Sequence, residues 1–88
     1  MNNLGRQNIM LVVRKRDRVV FEGEVKAFSS FNERGNFDIL YSHANFISLI
    51  KKNYVIHNVD GTKSEIKIEE GIVRAFDNKV TVYLGILG

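Results

Sequence analysis

The feature that most constrains this chain is a two-residue apolar repeat, broken by turn residues at intervals of about ten positions. Ile66 and Ile68 alternate with Glu65, Lys67 and Glu69. Val80, Val82 and Leu84 alternate with Thr81 and Tyr83, and Phe37, Ile39 and Tyr41 with Asp38, Leu40 and Ser42. Val19–Phe21 is β-branched and aromatic. Successive side chains of an extended strand point to opposite faces, so this repeat marks half-buried strands. A helix face would need a 3.6-residue repeat instead.

The turn signals divide the chain into hairpins. Asp60-Gly61 separates Tyr54–Val59 from Ser64–Glu69, and glycine takes positive φ there without steric cost. Asp77-Asn78 separates Gly71–Phe76 from Lys79–Leu84, and Arg16-Asp17 separates Ile9–Arg14 from Val19–Glu22. Glu33-Arg34-Gly35-Asn36 forms a fourth turn, and Gly23 inside Phe21–Val25 predicts a bulge or bend. Phe46, Ile47, Leu49 and Ile50 fit one helical face with Ser42 as N-cap, but the stretch is too short for a stable helix. It is read as a bent strand or a single turn. Phe28 faces away from Val25 and Ala27, so its strand is expected to bury both sides. The predicted fold is all-β: an antiparallel two-sheet sandwich or flattened barrel of about eight to ten short strands. It forms a single domain over residues 1–88, with Met1–Asn8 as a polar, frayed leader.

Composition narrows the chemistry. Zero Cys among 88 residues excludes disulfide frameworks, thiolate metal sites and cysteine nucleophiles. Thirteen Lys+Arg against ten Asp+Glu give +3, which permits an anionic partner without requiring one. No stretch approaches the roughly 20 apolar residues of a membrane-spanning helix. No basic segment leads into an apolar one at the N-terminus, so no signal peptide is read. The expected class is a small soluble intracellular domain.

Catalytic constellations are thin. The chain has no GxGxxG, no GxxxxGK[ST] and no GxSxG. His43 and His57 lack a metal-ligand spacing, and His57 reads as a solvated strand histidine. No catalytic, metal or cofactor residue is assigned. The run Arg14-Lys15-Arg16-Asp17-Arg18 could grip phosphates, and Phe28, Phe31, Phe37 and Tyr41 could stack on bases. An alternative function is therefore a small basic β-barrel that binds RNA or single-stranded DNA. The plainer reading is a solvated hairpin tip and a set of core aromatics.

Larger motifs carry a resemblance. Val12-Val13 close the first strand, and Phe21, Gly23 and Val25 follow at set spacing. A glycine turn at Gly35 opens Phe37-Asp38-Ile39-Leu40, which leads to Tyr41-Ser42-His43-Ala44-Asn45-Phe46-Ile47. Gly71-Ile72-Val73 and Asn78-Lys79-Val80-Thr81-Val82 end the series. In order and spacing these segments resemble the N-terminal β-sandwich domain of the epsilon subunit of F-type ATP synthases. Tyr41, Ser42 and Asn45 stand where that family has proline, glycine and proline around its histidine, and Lys52-Asn53 where it has a proline-glycine turn.

The resemblance implies a non-catalytic central-stalk subunit that turns with the rotor and couples ion-driven rotation to ATP synthesis. It implies two partners, the gamma subunit and the c subunits of the membrane rotor ring. The rotor-ring contact falls on Glu33, Arg34, Gly35 and Asn36, and the gamma contact on Lys15, His43, Phe46 and Ser48. No cofactor is implied. The implied location is peripheral, on the cytoplasmic face of an inner or plasma membrane. The family's inhibitory C-terminal helical hairpin has no counterpart in these 88 residues.

Overall fold

The structure, a computed structural model, describes residues 7–85. Those residues form seven strands: β1 (Ile9–Arg14), β2 (Val19–Val25), β3 (Ala27–Asn32), β4 (Gly35–Leu40), β5 (Phe46–His57), β6 (Lys63–Phe76) and β7 (Lys79–Leu84). Hydrogen bonding joins them in the order β2-β1-β7-β6-β5-β3-β4. The expected all-β fold is borne out. Seven strands replace the expected eight to ten because β5 and β6 each run through a bend where the sequence reads as a break. One pairing, β1 with β7, is parallel, because the chain leaves β2 for the other layer and returns to β1 only at its last strand.

The bend has a local cause. Lys52 adopts φ 75°, and the β5–β6 register slips between Lys51 and Asn53. Extra residues on one strand turn it and sharpen its twist. This is the Lys52-Asn53 position, so a corner within a strand stands where the resemblance expected a turn. On β6 the slip falls between Lys67 and Glu70, and Gly71 follows it in register with Ile50 and Leu84. A Cβ there would lie 2.9 Å from the Tyr83 carbonyl oxygen, closer than packing allows, and 3.1 Å from Leu84 Cδ2, which would have to give way.

The bend folds one sheet into two layers. The first contains β1, β2, β7, the first half of β5 and the second half of β6. The second contains β3, β4 and the remaining halves of β5 and β6. The core lies between them. Leu11, Val13, Val73, Val80 and Val82 from the first layer and Phe28, Ile39 and Ile56 from the second are all buried. Phe28 stacks on Tyr54 at 5.6 Å, and Phe37 meets Phe46 edge-on at 5.7 Å. Burial pushes the Tyr54 hydroxyl above its ordinary pKa. Ala27 and Phe28 are both buried, as expected for a strand covered on both sides.

The hairpins follow the turn chemistry. Asp77 and Asn78 take φ 50° and 63°, the paired positive values of a two-residue hairpin turn. Asp60-Gly61 lies in a five-residue loop between paired His57 and Lys63, with Gly61 at φ 93°. Lys15–Arg18 closes β1 onto β2 through a Lys15 amide to Arg18 carbonyl bond of 2.8 Å. The bulge expected at Gly23 lies at Val20 instead. Val13 pairs with Phe21 and Arg14 with Val19, whereas Gly23 stays in register opposite Leu11. The Phe21 ring lies over Gly23, 3.6 Å from where a Cβ would stand. Most of the expected leader Met1–Asn8 lies outside the described residues, and Asn8 itself donates to Glu24 at 3.0 Å.

These turns give the domain two ends. One holds Lys15–Arg18, the Glu33-Arg34 turn, the Lys52 corner and Gly85. The other holds the loop 41–45, the loop 58–62 and the Asp77-Asn78 turn.

Candidate functional site

Alternation and register together define the outer face of the first layer. Three outward rows cross it. Leu49 pairs with Ile72, Ile72 with Tyr83, and Tyr83 with Arg14. Next, Ile47 pairs with Arg74, Arg74 with Thr81, and Thr81 with Val12. At the loop end Phe76 pairs with Lys79 and Lys79 with Met10. The intervening rows, such as Phe46–Ala75–Val80–Leu11, point into the core.

This face is unusually apolar for a surface. Ile47 is 68% exposed and Leu49 59%, and Phe76 and Met10 are also exposed. Ile72, Tyr83 and Val12 are half-buried beside them. Isolated exposed apolar residues are ordinary, but a contiguous set marks an interaction surface. Its makeup, aromatic and aliphatic side chains with Arg and Met, is that of an interface centre.

The expected gamma-contact residues lie around this face at different places. Lys15 follows Arg14 at the hairpin-end corner and is exposed. It shares a cleft of about 490 Å³ with Tyr54, Ile66, Ile68 and Leu84. His43 is exposed in the loop 41–45 at the other end. Its Nδ1–H donates to the Ala44 carbonyl at 2.9 Å, and its ring lies 5.1 Å from Phe46. The loop is tied to the β6–β7 turn. The Ser42 amide donates to Asn78 Oδ1 at 2.6 Å, and the Asp77 amide to Asn45 Oδ1 at 3.0 Å. Side-chain caps thus hold a loop that has no proline. Phe46 and Ser48 point inward and are half-buried. The Ser48 hydroxyl donates to the Leu49 carbonyl and accepts from Asn32 Nδ2 at 3.1 Å. Their neighbours Ile47 and Leu49 point outward. Single-residue parity was the available signal for these two, but strand limits were needed to apply it.

The expected rotor-ring residues stay together in one tight turn. Asn32 pairs with Gly35, Glu33 and Arg34 are exposed, and the Arg34 amide donates to Asn32 Oδ1 at 2.8 Å. Gly35 takes φ 114°. The turn is continuous with β5, because Glu33 and Leu49 line one shallow groove with Lys51 and Glu70.

A third grouping escaped the sequence. Ser29 on β3, Asp38 on β4 and His57 on β5 meet on the outer face of the second layer. Ser29 donates its hydroxyl hydrogen to Asp38 Oδ1 at 2.6 Å and lies 2.8 Å from His57 Nε2. With that hydrogen committed, the imidazole N–H donates to the Ser29 oxygen. A nucleophilic serine would instead donate to the histidine, and the histidine to the carboxylate. The order here is that of a cross-strand polar link. His57 is half-buried and bonded rather than freely solvated. Among the described residues no group of three or more His, Cys, Asp or Glu could hold a metal, and no buried side-chain polar atom lacks a partner.

The comparisons with known proteins decide the family. The family described as "ATP synthase, Delta/Epsilon chain, beta-sandwich domain" matches residues 8–85. The chain belongs to this family. It is 37% identical over 65 residues to the ATP synthase epsilon chain of Campylobacter fetus subsp. fetus, covering 73% of this chain and 50% of that one. It is 36% identical over 64 residues to the ATP synthase epsilon chain of Nitratiruptor sp., covering 72% and 50%. The chain thus spans about half the length of these relatives. Its fold matches a chain in the Euglena gracilis mitochondrial ATP synthase structure of OSCP, F1 and c-ring. That match has a TM-score of 0.83 at 17% identity and covers 89% of this chain and 51% of that one. A Tetrahymena thermophila mitochondrial ATP synthase structure of the central stalk and c-ring gives a TM-score of 0.71 at 10% identity, covering 89% and 63%. Among the described residues no helix is long and apolar enough to cross a membrane.

Proposed function

We propose that this domain is a non-catalytic rotor subunit of an F-type ATP synthase. It binds the gamma subunit with the outer face of its first layer and the c subunits of the rotor ring with the Glu33–Asn36 turn. Through these contacts it couples ion-driven rotation to ATP synthesis, and it reaches the membrane only through the complex. The observation that carries this reading is the exposed apolar face in a domain of this family. Ile47 and Leu49 supply its most exposed apolar surface. Phe46 and Ser48 fix β5 from the inside so that those two point out. Lys15 and His43 lie at diagonally opposite corners, and the contact runs between them.

The mechanical demand on such a part is a body that holds its shape under torque. A close-packed core between two layers transmits strain with little deformation. Two adjoining contacts, one on a face and one on the turn at its end, let the domain join two bodies. No step of chemistry is assigned to it.

The test is co-purification of the chain with its gamma subunit and with a detergent-solubilised rotor ring. Both are expected to be retained, and His43→Glu is expected to weaken gamma binding more than His57→Glu. Binding to neither partner would overturn the proposal, and equal effects of the two substitutions would overturn the assigned face.

A further inference from the structure

We infer that the partner of the first-layer face presents a carboxylate to Arg74, set within an otherwise apolar surface. This rests on the reading of that face as the gamma contact and identifies the chemistry that makes the contact selective.

Arg74 occupies the middle of the face. Ile47 and Thr81 flank it across the sheet, and Ile72 and Phe76 flank it along β6. Its guanidinium lies over the Phe76 ring, 5.2 Å from the centroid. Stacking holds the planar group against the surface while its edges remain open. Of the ten outward first-layer positions on β5, β6 and β7, one is acidic: Glu70, which pairs with Lys51 and lies four residues along β6 from Arg74, about 13 Å at the usual rise. The ten are Ile47, Leu49 and Lys51, then Glu70, Ile72, Arg74 and Phe76, then Lys79, Thr81 and Tyr83. The other acids of this layer's outer face, Glu22 and Glu24, lie on β2 opposite Val12 and Met10. That is three strands from Arg74, about 14 Å at the usual spacing.

Charge therefore selects the occupant. A partner that covers Ile47, Ile72 and Phe76 also takes water from Arg74. A guanidinium buried without a counter-charge opposes binding, whereas a carboxylate can accept two parallel hydrogen bonds from it. A second copy of this chain is a poor occupant, because two-fold face-to-face pairing centred on Arg74 brings Arg74 against its own kind. Arg is also, with Trp and Tyr, among the residue types enriched where binding energy concentrates at the centre of an interface.

The experiment measures affinity of the chain for its purified gamma subunit, using wild type, Ile47→Asp, Arg74→Glu and Arg74→Lys. Far-UV circular dichroism checks that each variant is folded. Arg74→Glu is expected to weaken binding about 30-fold or more, as for a central interface arginine. Arg74→Lys should fall between, because lysine keeps the charge and loses the fork. Acid-to-arginine substitutions across the gamma surface should restore affinity to Arg74→Glu at one position. If wild type binds, Ile47→Asp does not, and Arg74→Glu binds normally, the carboxylate is overturned while the face stands. If wild type does not bind, the gamma reading fails and this inference with it. Sedimentation showing a wild-type dimer that Arg74→Glu dissociates would overturn it in favour of a second copy.

Discussion

The two outer faces of this sandwich come from the same alternation, yet they meet water differently. The first-layer face exposes Ile47, Leu49, Phe76 and Met10 around Arg74. The second-layer face carries Asp38, Ser29, Val55 and Glu65 along one row, with His57 and Lys63 beside it. There the polar groups bond one another, as Ser29 does with Asp38 and His57 and as Asn53 Nδ2 does with Glu65 at 2.6 Å. Among the described strand residues of the second layer, Leu40 is the one exposed large apolar side chain. A finished surface satisfies itself and stays in water. The first face leaves apolar area uncovered and a central cation whose cross-strand partners and same-face neighbours along β6 carry no carboxylate, which is the condition of a surface awaiting a partner.

Substitutions separate the faces most sharply through binding. Ile47→Asp or Leu49→Asp is expected to cut affinity for the gamma subunit by about 100-fold or more while moving stability by only about 0.5 kcal/mol. Val55→Asp on the other face should leave titrated affinity unchanged, and an equal loss would break the comparison. Gly71→Ala should destabilise the fold by about 1–3 kcal/mol, because its Cβ meets backbone oxygen at 2.9 Å. Denaturant unfolding that shows no change would mean the bend can relax. Ser29→Ala should cost about 1 kcal/mol in unfolding with gamma affinity untouched, since it cuts a link confined to the second face.

The smallest effect concerns acid. The Thr62 hydroxyl and amide both donate to Asp60 Oδ1 and hold its carboxyl below the ordinary value of 3.8. A folded-state value below the unfolded one gives a contribution present above 3.8 and lost as pH falls through the lowered value. NMR titration of Asp60 should give a midpoint below 3.8, and a midpoint at or above that value would break the assignment.

Much of the fold was legible because period two and turn chemistry are local. Ile66, Ile68, Val80 and Val82 carry their facing in the sequence, and Asp77-Asn78 carries its turn. The Lys52 bend was legible only through the resemblance, which has a turn at Lys52-Asn53; local preference hides it, because a lysine at positive φ is imposed by the layers it joins. The count of strands was therefore too high. The Ser29–Asp38–His57 link was hidden for a related reason, as its members are brought together by pairing across three strands. At the candidate site the resemblance drew attention to Phe46 and Ser48. The outward neighbours Ile47 and Leu49 emerged only once register fixed which side of β5 faces the core.

The deciding question is which face is covered in the complex. Hydroxyl-radical footprinting of the chain, free and bound to its gamma subunit, reads this directly. Protection is predicted at Ile47, Leu49, Phe76 and Met10, with Val55 and His57 unchanged. Protection of Val55 and His57, with Ile47 and Leu49 still open, would contradict it.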